Sequence, residues 1–197
     1  SESQCKFRPG EAVHSKVFVH VPQVSITNEI ESQKATYYSG DSVNYKITVE
    51  NHEVDNQSET FYRPVVSFRM PACTTVNTGR YANGFQITKV DQYGNETVIP
   101  SSYYTLKVTE VDAPLANQGN DQYEESDKLK SKQYVFEFSD AVSLDPGEQL
   151  LVKFDGMISY DSKRQNGVTT LVCPAYLSST AKVPKSAENP LGLSFTS

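Results

Sequence analysis

Ser39-Gly40-Asp41-Ser42-Val43-Asn44-Tyr45-Lys46-Ile47-Thr48-Val49-Glu50-Asn51 decides the fold class of this chain. A turn carrying Gly beside an acid runs straight into a strand. Val43, Tyr45, Ile47 and Val49 point one way, and Asn44, Lys46, Thr48 and Glu50 the other. A second stretch, Leu144-Asp145-Pro146-Gly147-Glu148-Gln149-Leu150-Leu151-Val152-Lys153-Phe154-Asp155-Gly156, repeats the plan about a hundred residues later: turn, acid, glycine, strand.

Outward from these two, strand signals dominate. Lys16 to Val21 alternates, and further strands are expected at Pro64 to Met70, Gly84 to Val90, Tyr103 to Val111, Gln133 to Ser139, Gln149 to Ile158 and Thr169 to Leu177. In Gln133 to Ser139 the inward set is Tyr134, Phe136 and Phe138. Turn residues fall between them at Asn77-Thr78-Gly79, Tyr93-Gly94-Asn95 and Gln165-Asn166-Gly167. No stretch of useful length carries a 3.6-residue period. Asn117 to Lys132, acidic and then basic with almost no apolar residue, reads as a solvated insertion or a short exposed helix. Strands at this spacing without intervening helices predict an all-β sandwich with an elaborated loop insertion.

Composition agrees. The 197 residues include 12 Tyr and 9 Phe, enough aromatic surface to build a core although hydrophobic residues make up only 37%. A net charge of −6 with scattered bases disfavours nucleic acid as a partner. No run approaches the roughly 20 apolar residues of a membrane span, so no membrane insertion by this segment is expected. Three units are predicted: residues 1–32 as an N-terminal arm with leading strands that join the sandwich, 33–181 as the sandwich, and 182–197, with Pro184, Pro190 and Gly192, as a tail or linker of an excised piece of a longer chain.

From about Gln33 to Ala181 the chain resembles the immunoglobulin-like modules of Gram-positive surface proteins, among them the isopeptide-forming domain of sortase-assembled pilins and the repeat domains of cell-wall adhesins. The residues that carry the resemblance are the Gly40-Asp41 turn, Tyr45-Lys46-Ile47-Thr48-Val49 with Asn51 behind it, and Val65-Val66 leading to Met70-Pro71-Ala72. The Pro146-Gly147 turn with its strand, and Ala175-Tyr176 on the closing strand, complete the set. The resemblance implies an immunoglobulin-like sandwich. It also implies a Lys on an early strand that condenses with an Asn on the last strand beside a buried acid, where an apolar site keeps the amine neutral and nucleophilic. This sequence departs from that pattern at three places. Asn28 stands where the Lys would be, Ser67-Phe68-Arg69 where the acid would be, and Cys173 where the Asn would be. No intramolecular isopeptide is therefore expected, and Lys46, on the polar face of its strand, reads as an exposed lysine.

A disulfide between Cys73 and Cys173 would close a loop of about a hundred residues, an entropic stabilisation of about 4–5 kcal/mol. The alternative makes Cys173 a small buried hydrophobe and Cys73 a loop residue, and Cys5, in a polar N-terminal arm, is instead a partner for either of them or a free thiol. His14, His20 and His52 are too scattered for a metal, and Asp121, Glu124, Glu125 and Asp127 lack the glycine-broken alternation of a calcium loop. Neither metal nor cofactor is expected. Tyr37-Tyr38 and Tyr103-Tyr104 should each expose one ring, as decoration of the sandwich or as a surface for a host protein or glycan. No nucleophile has a companion base, so an enzyme is not expected, and a β-sandwich carbohydrate-active domain is disfavoured by the absence of Trp. The leading expectation is a non-catalytic stalk or spacer module of a surface adhesin or pilin, outside the cell or on its wall, in contact with neighbouring domains. The alternative is an adhesive tip.

Overall fold

A computed structural model describes residues 22–55, 58–114, 129–159, 171–181 and 195–196. The protein is an all-β, immunoglobulin-like sandwich in which every strand pairing is antiparallel. The strands are β1 (Val24–Ile30), β2 (Ser42–Asn51), β3 (Phe61–Tyr62), β4 (Pro64–Arg69), β5 (Thr74–Asn77), β6 (Phe85–Val90) and β7 (Glu96–Val98). They continue with β8 (Tyr104–Asp112), β9 (Lys130–Phe138), β10 (Ser143–Leu144), β11 (Gln149–Ile158), β12 (Ala175–Ser179) and β13 (Phe195–Thr196). One sheet has the order β1-β2-β11-β6-β7, with β5 continuing beside β11 beyond β6. The other has the order β13-β12-β4-β9-β8, and β10 pairs with β3 in a small ribbon.

The two glycine-acid segments lie side by side. β2 and β11 form the centre of the first sheet, in register from Gln149 opposite Glu50 to Met157 opposite Ser42. Each turn is set by its glycine and its acid. Gly40 takes φ +93° and Gly147 φ +88°, a region that costs a side-chain-bearing residue free energy. An Asp41 carboxylate oxygen accepts from the Tyr38 N–H at 2.8 Å, and Glu148 Oε1 accepts from the Asp145 N–H at 2.7 Å.

The alternation expected for β2 holds. Val43, Tyr45, Ile47 and Val49 are buried with Phe154, Val152 and Leu150 from β11, and Tyr134, Phe136 and Phe138 line the opposing sheet. Phe68 of β4 stacks on Phe154 of β11 across the interior, with centroids 4.3 Å apart and planes 12° from parallel. Each such fully buried side chain contributes about 1.5–3 kcal/mol.

Several sequence readings need correction. β9 begins at Lys130 inside the stretch read as solvated, because Lys130 and Lys132 stand opposite Asp112 and Glu110 and these opposite charges extend the hairpin. Cys173 precedes the closing strand, which starts at Ala175 after Pro174, a residue with no N–H for a ladder. β5 and β7 were not anticipated. Lys16 to Val21, Cys5 and most of the Asn117–Lys132 insertion lie outside the described residues. Phe195–Thr196, within the stretch read as tail, pair with Tyr176 and Leu177.

The sandwich has two ends. At one, Ile158 pairs with Thr74 next to Cys73, and β1 finishes at Ile30. At the other, Asn51 sits beside Glu148, near the start of β1 at Val24.

Candidate functional site

The Cys73 end gathers most of the residues singled out from sequence. Beyond β1, the loop from Glu31 to Asp41 folds back onto the end of β11: the Gly40 N–H donates to the Ile158 carbonyl at 2.7 Å, and the Ile158 N–H to the Asp41 carbonyl at 3.0 Å. Within the loop the Lys34 N–H donates to Tyr37 Oη at 2.9 Å. The Lys34 ammonium lies 5.8 Å from the centre of the Tyr37 ring and 3.7 Å from the Asp41 carboxylate. The loop thereby walls a cavity of about 630 Å³ whose lining includes Tyr37, Tyr38, Tyr45, Cys73, Ile158 and Leu171.

Tyr45 forms the inner wall. Its ring is 4% exposed and stacks on Phe154 at 5.0 Å. Burial pushes its phenol well above the usual tyrosine range, and the neighbouring Cys173, Tyr37 and Cys73 push in the same direction. Tyr38 is 69% exposed at the mouth, while Tyr37 packs partly on the core, so this pair divides as expected.

Asn28 and Cys173, the positions expected to hold the degenerate crosslink, do meet. The Asn28 amide donates to the Cys173 carbonyl at 3.0 Å, joining β1 of one sheet to the lead-in of β12 in the other. Burial pushes the Cys173 thiol up to about 12, against a smaller pull the other way from its contact with the Asn28 side chain. Cys173 therefore packs as a small hydrophobe with little thiolate at neutral pH. Lys46 lies on the outer face of β2, away from this contact, partly covered rather than fully exposed. Cys73 and Cys173 are separate thiols in the structure, both close enough to act on the Tyr45 phenol. Cys73 takes φ +53°, outside any strand.

The other end holds what sequence reasoning missed. Asn51, fully buried, donates from Nδ2 to the Glu59 carbonyl at 2.7 Å and the Leu144 carbonyl at 2.9 Å. Beside it Glu148 takes an ion pair from Lys89 at 3.1 Å. The partners come from β2, β6, β10, the turn before β11 and the loop before β3, and only the register of β11 brings them together, so no local pattern announces them. Tyr103 and Tyr104 also sit toward this end, since Tyr104 pairs with Phe138 at the far limit of β8 from Asp112. The two tyrosine pairs thus do not form one surface. On the outer face, Asp155 is buried under Asn44 at 2.7 Å and Arg80 at 3.0 Å, a satisfied structural charge. No group of three or more metal-ligating side chains converges among the described residues, and no described helix is long and apolar enough to cross a membrane.

No protein-family model matches the sequence, and no curated relative matches it. Solved structures similar to it include the major pilin SpaA of Corynebacterium diphtheriae, 16% identical over 88% of this chain and 36% of that one, with a TM-score of 0.48. The pilus 2b backbone protein of group B streptococcus is 18% identical over 85% of this chain and 55% of its own, with a TM-score of 0.45. The family 3a carbohydrate-binding module of the cipA scaffolding of Clostridium thermocellum is 12% identical over 79% and 95%, with a TM-score of 0.41. The chain spans about a third to a half of those two pilins.

Proposed function

We propose that the chain is a non-catalytic stalk or spacer module of a bacterial surface adhesin or pilin, acting outside the cell or on its wall beside neighbouring modules of the same assembly. Residues 33–181 make the sandwich, and β1, from the stretch before it, is its leading strand. The observation that supports this reading is the direction of the strands at the sandwich's edge. β1 starts at the Asn51 end and runs toward the Cys73 end, paired along its whole length with β2. β13 runs the same way beside β12, so chain enters at one end and points out toward the other. Tension along that axis pulls β1 lengthwise past β2 and loads all their hydrogen bonds together. The family's Lys–Asn crosslink has no place in this reading, because Asn28 and Cys173 occupy its positions.

Single-molecule pulling tests it. End-to-end attachment should give a higher unfolding force than attachment across the β8–β9 hairpin, whose bonds open one after another. Equal or lower end-to-end force would reject a load-bearing role. The adhesive-tip reading is favoured by one observation only, the cavity at the Cys73 end.

A further inference from the structure

We propose that Ser25 is a covalent modification site. It is a serine nucleophile with His52 as its base and Glu50 as the positioning residue, and it takes an acyl group from an ester or thioester. This goes beyond the stalk reading and does not depend on it.

Three strands assemble the group. Ser25 of β1 stands directly opposite Glu50 of β2, and Glu50 directly opposite Gln149 of β11. Residues opposite one another share a face, here the outer one, and His52 follows two positions after Glu50 on that face. Ser25 Oγ lies 2.6 Å from His52 Nε2, and His52 Nδ1 lies 3.2 Å from Glu50 Oε2. The other Glu50 oxygen accepts from Gln149 Nε2 at 3.2 Å. The backbone of His52 is held as well: its N–H donates to the Gln23 carbonyl at 2.7 Å, and its carbonyl accepts from the Ser58 hydroxyl. Register, not spacing, brings Ser25 and His52 together across 27 positions, which is why no nucleophile with a companion base was legible in the sequence.

The order of the partners sets the proton. A carboxylate only accepts, so the ring hydrogen sits on Nδ1. In the neutral imidazole Nε2 then carries the lone pair and accepts from the Ser25 O–H. Nucleophile, base and orienting acid thus follow one another as in a general-base-activated serine.

The backbone supplies a donor for the adduct. The His52 N–H bonds the Gln23 carbonyl and the Glu31 N–H bonds the Asn44 carbonyl, so the odd-numbered residues of β1 turn their N–H groups toward β2. Val24 and Ile26 turn theirs toward the sheet's edge, where no described strand pairs. The Ile26 N–H, next after the nucleophile, is available to the oxygen of a tetrahedral adduct. Ser25 Oγ bonds to the acyl carbon as the bond to the leaving oxygen or sulfur breaks. The Ser25 proton passes to His52 Nε2 and from there to the leaving alkoxide or thiolate. The His52 and Glu50 side chains are 44% and 34% exposed on an open face, so the expected product is one acyl-serine per chain rather than repeated turnover.

The test exposes the full chain to p-nitrophenyl acetate and, separately, to a fluorophosphonate, which leaves a stable phosphonyl-serine. Peptide mass mapping follows each serine with time. Ser25 should react at least about tenfold faster than the exposed Ser101 and Ser102, since a positioned base contributes about 10²–10⁴-fold. S25A should lose the fast label. H52A, at a solvent-exposed position, should slow Ser25 at least about tenfold with the thermal melt unchanged, and added imidazole should restore part of the rate. E50A should slow labelling and move the His52 tautomer toward Nε2–H, read by ¹⁵N NMR of the ring, a signal that a merely structural glutamate would not change. Labelling of Ser25 less than tenfold faster than the two reference serines overturns the proposal. So does a Ser25 rate that H52A leaves unchanged, and a tautomer that E50A leaves unchanged removes Glu50 from its role.

Discussion

Asn51→Asp changes one atom in the interior and should make the stability of the sandwich depend on pH. In the native protein Asn51 Nδ2 donates to two backbone carbonyls, Glu59 at 2.7 Å and Leu144 at 2.9 Å, and the side chain is fully buried. The substitution keeps the shape and replaces the donor with an oxygen facing both carbonyls. Protonated, it restores one of the two bonds. The remaining cost is one hydrogen bond, about 1 kcal/mol, and one unsatisfied carbonyl, about 1–3 kcal/mol. Ionised, it restores neither and buries a charge against two acceptors.

The folded-state pKa of the new carboxyl is therefore raised above its unfolded value of about 3.9. A carboxyl with a raised folded-state pKa favours the fold only while protonated. The deficit is smallest below about pH 4 and grows by about 1.4 kcal/mol per pH unit until the folded-state pKa is reached. Urea melts of both proteins between about pH 3 and 7 should show a difference of about 2–4 kcal/mol at the acid end. It should widen by at least 2 kcal/mol toward neutrality, enough to consume much of a typical domain's stability. A difference that stays constant with pH would refute the assignment of Asn51 as a paired interior donor.

One substitution and one chemical treatment probe the Cys73 end. Gly156→Ala places a methyl 2.8 Å from Thr74 Cγ2 and 3.1 Å from the Tyr45 ring, and the hydrogen bond from Thr74 to the Ala72 carbonyl holds that side chain in place. The overpacking cost of about 1–3 kcal/mol should exceed the gain of about 0.4–1 kcal/mol from a stiffer unfolded chain, giving a net loss measurable by calorimetry. An unchanged or higher Tm would mean that Thr74 can move aside. Treatment with glutathione disulfide should convert Cys73 first to a mixed disulfide, releasing glutathione. The Cys173 thiol, held up near 12 by burial, then closes the protein disulfide slowly and releases the second glutathione. Intact mass should show closure, two hydrogens lighter, faster at about pH 9 than at pH 7. A rate indifferent to pH would reject Cys173 as the limiting thiol.

What the sequence disclosed and what it concealed divide along one physical line. Patterns of period two are local, so the inner face of β2 (Val43, Tyr45, Ile47 and Val49) was legible, and so was the Tyr134-Phe136-Phe138 face of β9. Turn chemistry is local too, and Gly40 and Gly147 sit at positive φ where the Gly-acid steps placed the turns. Register between strands is not local. Two stretches about a hundred residues apart were recognised as similar, yet nothing in either says that Tyr45 faces Phe154 or that Asn51 faces Glu148. The buried polar groups depend on that register. Asn51 reads as an ordinary residue after a strand, Lys89 as a surface base, and Glu148 as one more acid in a turn. Tyr45 shows the same limit from the other side. Its place in an apolar stripe identified a core residue, and that was correct, but the stripe cannot record that its oxygen lies at the edge of the core. The loop that closes over it runs from Glu31 to Asp41, where no periodic signal exists, so its place at a cavity wall was not legible.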